Sequence, residues 1–596
     1  MVEGNEVWVS GIAAARRLAN IDGAILNHRV DDGLRTKLSS EIDSLSLTTI
    51  ESKRRLNACS PLLQLPTEIL DEIMVIVAEL WPPRFAHCWI AEGTLGWIAC
   101  GHVCYALRII LLGRGALWAR VAPTFLNPET RSELVARAGG KPLRFQLQNF
   151  ECSHTLSHAE FVVNHLHSAQ SVKVFQIYED GPGHVNRWPI SPAGLSGTSL
   201  PFLERLHLLL GGRKEHWQSI TSDTFELPPI RTPKLRILVL WNYYVSFDAS
   251  TLTTLMLNRQ TPHTLPSAAH VLNILRLCVK LETLGLTYWI PDSLPSAETP
   301  DISLPCLTYI YIHDNWVRCT SLWSHLLVPP AARRHFTLVD TSSNEAETDS
   351  NLDMLERGLK QSLSVPIHGL CIDMKGGAFS VACYSRLPGS KQAETYLFRR
   401  DFTLVLEFTF HSNGKRGLHT MFTLHPTLRL IEYCDIEYLE FSHILSFYTE
   451  DYMRGMLRPF INVHTVCHSR TSNSFITCLS VPGGKVEPVL PSLRYLWIER
   501  LALSKENHLG NLHPHTFFEM LRSRERSGVG LRRLRIAELV IDKRAAGMSV
   551  SEAQRSLLLQ LREIVPHVEC GLNGSLGPED ASHGIEGVQN EGASGP

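Results

Sequence analysis

Apolar positions follow three textures along the chain. Between residues 12 and 56, Leu34, Leu38, Ile42 and Leu45 recur at steps of four, four and three, with Arg, Lys, Asp and Glu between them. That is the period of a helix with one apolar stripe. Residues 60–125 form a second helical block, divided by Trp81-Pro82-Pro83, which cannot continue a helix. On a helix starting near Pro66, the residues Ile69, Leu70, Ile73, Met74, Ile76 and Val77 cover more than half of the circumference. A block of ~60 residues cannot easily bury that much apolar surface internally, so one face is expected to meet a partner. From about residue 142 the texture changes to short β-type runs separated by polar or helical connections.

The runs share a phrase. PFLERLHL from Pro201, PKLRILVL from Pro233, KLETLGL from Lys280, PCLTYIYI from Pro305, PTLRLI from Pro426, PSLRYLWI from Pro491 and GLRRLRI from Gly530 all approach L-x-x-L-x-L. The last apolar positions alternate as one face of a strand requires. Spacing is uneven: 32 residues separate Leu203 from Leu235, and 26 separate Leu281 from Leu307. Residues 313–425 hold no clear copy, although IHGLCIDM and DFTLVLEFTF read as strands. Two architectures fit: stacked repeats sharing one core, or a generic α/β domain with Leu-rich strands. The polar stretch 340–350 reads as a loop. Residues 571–596, rich in Gly, Ser, Asn and acidic residues, cannot bury enough apolar surface to order themselves and are expected to be a disordered tail.

Composition narrows the function classes. Hydrophobic residues make up 44% of the 596 positions, and 57 Lys plus Arg nearly balance 59 Asp plus Glu. A balanced chain has no bulk electrostatic reason to bind nucleic acid or an anionic membrane. No stretch reaches the ~20 apolar residues of a membrane-spanning helix, and the start MVEGNEVWVSG carries no secretory pattern. The 14 cysteines follow no framework spacing and read as reduced thiols. A cytoplasmic and/or nuclear protein is expected. GxxxxGK[ST], GxSxG and HExxH are absent from the sequence. Cys100 and Cys104 with His87 and His102 fit no common zinc spacing, and Cys152 with His154 and His158 is a loose cluster of the kind that chance supplies among 27 histidines. No catalytic residue, metal or cofactor is expected.

LPTEILDEI, then GWIACGHVCYALR, then ALWARV resembles the F-box, and more narrowly the large group of F-box proteins of mushroom-forming fungi. The Leu-rich runs resemble the strand segment of leucine-rich repeats, with Asn242 the best candidate for the asparagine that comes after the strand in regular repeats. The resemblance implies an α+β or α/β chain: an N-terminal helical segment (1–58), a three-helix F-box (59–125), a leucine-rich-repeat-like client-binding region (126–570) and the tail (571–596). It implies docking onto the S-phase-kinase-associated adaptor of a cullin-RING ubiquitin ligase. The contacts would be Leu65, Pro66, Ile69, Leu70, Ile73, Val103, Cys104, Leu107, Leu117 and Trp118. Tyr105 and Leu107 stand where the family commonly has Arg and Trp, while Arg108 is retained. Aromatic anchors for an unidentified client protein would lie beside the strands: Trp241, Tyr243, Tyr244, Trp289, Trp316 and Trp497. The implied function is a non-catalytic substrate receptor; the alternative is an interaction scaffold that supports no ubiquitination.

Overall fold

A computed structural model describes residues 3–27, 31–83, 94–125, 127–148, 155–176, 192–210, 225–259, 266–294, 301–340, 366–375, 378–385, 404–410, 435–441, 449–470, 472–481, 487–504, 512–541 and 550–571. The chain is mixed α/β and divides into two compact units: residues 1–212 with 230–234, and residues 213–229 with 235–596. The predicted boundaries at 58 and 125 therefore both fall inside the first unit.

The first unit opens on two long helices, α1 (Glu3–Leu26) and α2 (Asp32–Ala58). Asp31 caps α2 by accepting from the Leu34 N–H. The two helices are joined by a forked ion pair, Arg17 Nε and Nη2 donating to the Glu41 carboxylate at 2.8 and 2.9 Å. Leu34, Leu38 and Leu45 are half-buried, whereas Ile42 is exposed. The apolar stripe of α2 is thus narrower than its sequence period suggests.

Next come α3 (Thr67–Leu80), a 3₁₀ turn (Gly96–His102), α4 (Tyr105–Gly113), α5 (Gly115–Val121) and α6 (Pro128–Ala138). GHVC and YALR do not share one helix: Cys104 is extended (φ −154°, ψ 163°) and α4 starts after it. Asn127 caps α6, Pro128 occupies its first position, and Gly139 leaves it in the left-handed conformation (φ +58°) that ends helices cheaply. Strands β1 (Leu143–Gln148), β2 (Ala169–Gln176) and β3 (Arg205–Leu210) then pair in parallel, with α7 (Thr155–His165) between the first two and the short α8 (Pro192–Leu195) before the third.

In the second unit the strands β4 (Ile237–Trp241), β5 (Thr254–Asn258), β6 (Thr283–Thr287), β8 (Tyr309–Asn315) and β10 (Arg333–Asp340) succeed one another in a parallel sheet. The sheet continues through β13 (Leu404–Phe410), β12 (Ala378–Tyr384), β11 (Gly369–Lys375), β14 (Tyr438–Phe441), β15 (Thr465–Arg470), β16 (Tyr495–Leu503), β17 (Arg533–Ile541) and β18 (His567–Cys570). Only β12 runs antiparallel to its neighbours among these described strands. A separate pair joins β7 (Ile302–Ser303) to β9 (Leu326–Leu327). Helices α9 (Ala268–Leu277), α10 (Trp316–His325), α11 (Glu450–Leu457), α12 (Asn473–Leu479), α13 (Pro514–Arg526) and α14 (Val550–Ile564) lie between strands in sequence.

The repeated phrase explains this sheet. Its first Leu sits in a turn just before the strand, and the next two point to the same side. Leu203, Leu206 and Leu208 are all buried, as are Leu235, Leu238 and Leu240, or Leu281, Leu284 and Leu286. In register, Leu240, Leu257, Leu286, Ile312 and Phe336 form one apolar row across β4, β5, β6, β8 and β10. The row continues through Leu406, Val381, Ile372 and Phe441 to His468, Ile498 and Ile536. Each such side chain contributes ~1.5–3 kcal/mol on burial. Copies beyond the seven phrases are Leu252-Thr-Thr-Leu-Met-Leu257, Ile367 to Ile372, Ile436 to Phe441 and Val463 to His468. The strands read from IHGLCIDM and DFTLVLEFTF are β11 and β13. The phrase from Pro426, residues 341–350 and residues 572–596 lie outside the described residues. Asn242, after β4, is buried with φ +51°, and Tyr288 holds the same place after β6 with φ +53°.

Candidate interaction surfaces

Helix α3 carries two apolar stripes. Leu70, Met74 and Ala78, four residues apart, are buried against the module's own core. Ile69, Ile73, Ile76 and Leu80, at i, i+4, i+7 and i+11, form a second stripe rotated by about a third of a turn. This one is open: Ile69 is 49% exposed, Ile76 55% and Leu80 80%. Helix α4 repeats the arrangement, with Leu107 and Leu111 buried and Tyr105, Ile109 and Leu112 exposed at i, i+4 and i+7.

The core beneath explains why these stripes stay out. Trp97 and Trp118 meet edge to face at 4.9 Å, and Trp118 Nε1 donates to Leu111 O at 2.7 Å. The largely buried Asp71 carboxylate is paired with Arg114, which fixes α3 to the start of α5. Gly115 comes so close to α6 that a Cβ there would stand 2.5 Å from Ala138 O. Leu70, Met74, Leu107 and Leu111 pack the interior with the two indoles, and the Asp71–Arg114 pair closes its edge.

Of the expected adaptor contacts, Leu65, Pro66, Ile69 and Val103 are exposed, and Ile73 and Cys104 are half-buried. Leu70, Leu107, Leu117 and Trp118 are buried, each packing the module's own interior. Exposed apolar residues of this module that were not among the expected contacts include Leu62, Leu80, Trp81, Leu95, Tyr105, Ile109 and Leu112. The i, i+4, i+7 period of Tyr105, Ile109 and Leu112 was the available signal. Arg54 of α2 stacks over the Tyr105 ring at 4.3 Å, which gives this exposed ring a cationic neighbour.

The expected client anchors divide in the same way. Tyr243, Tyr244, Trp289 and Trp316 are core residues, not surface ones. Trp289 packs against Tyr244 at 5.3 Å and beneath the Arg259 guanidinium at 5.5 Å, and Tyr244 OH lies 2.7 Å from His270 Nε2. Trp241 and Trp497 are partly open on the polar face of the sheet, where Arg535 covers the Trp497 ring at 4.8 Å.

Other polar groups cluster on that face. Thr337 Oγ1 donates to Glu407 Oε2 at 3.1 Å, His335 Nε2 stands 3.5 Å from the same oxygen, and Tyr311 meets His335 edge to face. His335, then Thr337, holds the Glu407 carboxyl below the usual range against the opposing effect of burial. Further along, Tyr384 OH and Tyr438 OH both donate to Glu440 Oε2 at 3.3 Å. Neither group assembles a nucleophile with a base. The pair His325 Nδ1 to Asp301 Oδ1, at 2.9 Å, is completed by Arg276, a cation, which draws Asp301 down. Among the described residues no cluster of His, Cys, Asp and Glu could hold a metal ion, and no helix is long and apolar enough to cross a membrane. His87, Cys152 and His154 lie outside the described residues. No family model and no curated protein sequence matches the chain.

Proposed function

We propose that the chain is the substrate receptor of an SCF-type cullin-RING ubiquitin ligase. Its F-box-like module (residues 59–125) would hold the S-phase-kinase-associated adaptor, and its sheet would hold a client protein. One observation carries the reading: α3 and α4 each satisfy their own core with one stripe and leave a second, regular apolar stripe in water. A monomer gains nothing from that arrangement, whereas a partner helix or groove would remove the stripes from solvent. The F-box resemblance of LPTEILDEI and GHVCYALR names the partner. The in-register L-x-x-L-x-L rows support a leucine-rich-repeat-like array as the client-binding half.

Such a receptor performs no bond chemistry. It raises the effective concentration of client lysines near a ubiquitin thioester carried by other subunits. The place of action would be the cytoplasm and/or nucleus.

The test is capture of the full chain by the purified adaptor, with Ile69→Glu/Ile76→Glu as the variant. Both side chains are exposed, so the variant keeps its circular dichroism and melting temperature, and capture falls at least tenfold. Capture that is absent in the wild type, or unchanged in the variant, refutes the reading. Capture without ubiquitin transfer to any bound protein in the reconstituted ligase favours a scaffold.

A further inference from the structure

The three parallel strands of the first unit bury Phe145, Val172, Val174, Leu206 and Leu208 on one side. Their other side is cationic. In register, Arg144, Ser171 and Arg205 form one row across β1, β2 and β3, and Gln146, Lys173 and His207 form the next. Lys173 and Arg205 are exposed, and among the described residues neither has an ion-pair partner. Arg144 Nε donates to Gln170 Oε1 at 3.0 Å, and Gln170 Nε2 to Glu204 Oε1 at 3.1 Å, so the hydrogen-bonded link from Glu204 to Arg144 runs through an amide. The other nearby acid, Glu79, is engaged at 3.4 Å with a further cation, Arg120.

The positive groups feel one another. Burial lowers the basicity of Arg144 first, and Arg120 and Arg205 lower it further, while Glu204 and Glu79 oppose them. Burial also lowers His207, with Lys173 and Arg205 adding to the effect. One step along the strands, Phe175 and Leu209 stand side by side, half-buried on the same face.

We infer that this face docks an acidic, extended peptide segment, whose carboxylates meet Lys173, Arg205 and Arg144 and whose apolar residue rests on Phe175 and Leu209. Adjacent strands are ~4.8 Å apart and alternate residues ~6.6 Å apart, so the three cations span about one short run of extended peptide. Alternation of acid and apolar side chains suits it. Nucleic acid suits it less, because a tight complex engages roughly six to ten phosphates and needs a longer basic track. The inference rests on the receptor reading for the role of the bound segment, not for the binding itself.

The test is fluorescence anisotropy on the full chain. The probe is a twelve-residue peptide alternating Glu with Val and Phe, beside the same peptide with Gln for Glu. The acidic probe binds, the neutral one binds at least tenfold more weakly, and the preference shrinks as salt rises. Lys173→Glu/Arg205→Glu lowers affinity for the acidic probe at least tenfold without changing the melting temperature or adaptor capture. Ile69→Glu/Ile76→Glu leaves peptide binding intact, so loss of the adaptor reading and loss of the peptide site register separately. No binding, equal binding of both peptides, or an unchanged charge-reversed variant overturns the inference. So does a twenty-nucleotide RNA that binds more tightly than the acidic peptide.

Discussion

His468 occupies a place that the rest of its row gives to hydrocarbon. Its register neighbours are Phe441 and Ile498, and the Phe475 ring lies 4.6 Å away. The side chain is fully buried, and among the described residues neither ring nitrogen has a hydrogen-bond partner. Burial alone pushes its pKa from 6.5 down to about 3. The folded state therefore holds a neutral ring, while the unfolded chain takes up a proton below pH 6.5. This group's contribution to stability is complete above pH 6.5 and is lost as pH falls toward 3. Between pH 8 and pH 5 the loss is about 2 kcal/mol, from 1.36 kcal/mol per unit of pKa difference. His468→Leu removes both the unpaired nitrogens and the titration. The variant should be more stable than wild type by ~1–2 kcal/mol at pH 8, and its margin should widen by about 2 kcal/mol at pH 5. The measurement is urea unfolding of both chains at the two pH values, monitored by tryptophan fluorescence. The other histidines titrate alike in both chains and cancel in the double difference. A margin equal at both pH values would show that the ring is solvated or paired, and would refute the reasoning.

Two further substitutions test how the core is held. Arg524 of α13 is buried without a carboxylate, and its Nη atoms donate to Leu479 O, Val489 O and Leu490 O at 3.2, 2.9 and 2.8 Å, while burial draws its pKa down to about 10. Arg524→Met strands three buried carbonyls at ~1–3 kcal/mol each, partly offset by removal of a desolvated charge, so a net loss of about 3 kcal/mol is expected in urea unfolding. In the helical module, Gly115→Ala drives a methyl into Ala138 O and should cost ~1–3 kcal/mol, read as a lower melting temperature and earlier hydrogen exchange in α5 and α6.

The repeated phrase was legible because its chemistry is local: a Leu before the strand and two inside it bury one side whatever the connection between strands does. Leu252 to Leu257 escaped notice because it comes only 17 residues after Leu235, well short of the 26 and 32 that separate the compared phrases. Ile436 and Val463 escaped because β-branched residues replace the first Leu, and because Phe441 and His468 close the phrase. Strand type was readable in DFTLVLEFTF, but nothing local announces that β12 runs antiparallel beside it. The aromatic residues were the least legible. Tyr243, Tyr244, Trp289 and Trp316 come just after strands, where the chain folds back over the buried side, and a large ring is as useful to that core as to an interface.

The two stripes of α3 pose the same ambiguity in a sharper form, since Leu70 and Ile69 are adjacent and equally apolar. Magnitudes bear on what the open stripes can do. Full burial of an aliphatic side chain yields ~1.5–3 kcal/mol, so Ile69, Ile76 and Leu80 with the half-buried Ile73 supply on the order of 5–10 kcal/mol. Association costs ~4–15 kcal/mol before any net affinity is left. The α3 stripe alone therefore lies near balance. Adding Tyr105, Ile109 and Leu112 of α4, together with Leu65 and Val103 in the connections, brings the gross gain to roughly 15 kcal/mol, enough for micromolar binding or better against a moderate cost. A docking partner must consequently span both helices. Loss of either stripe, through Ile76→Glu or Ile109→Glu, should abolish capture rather than halve it.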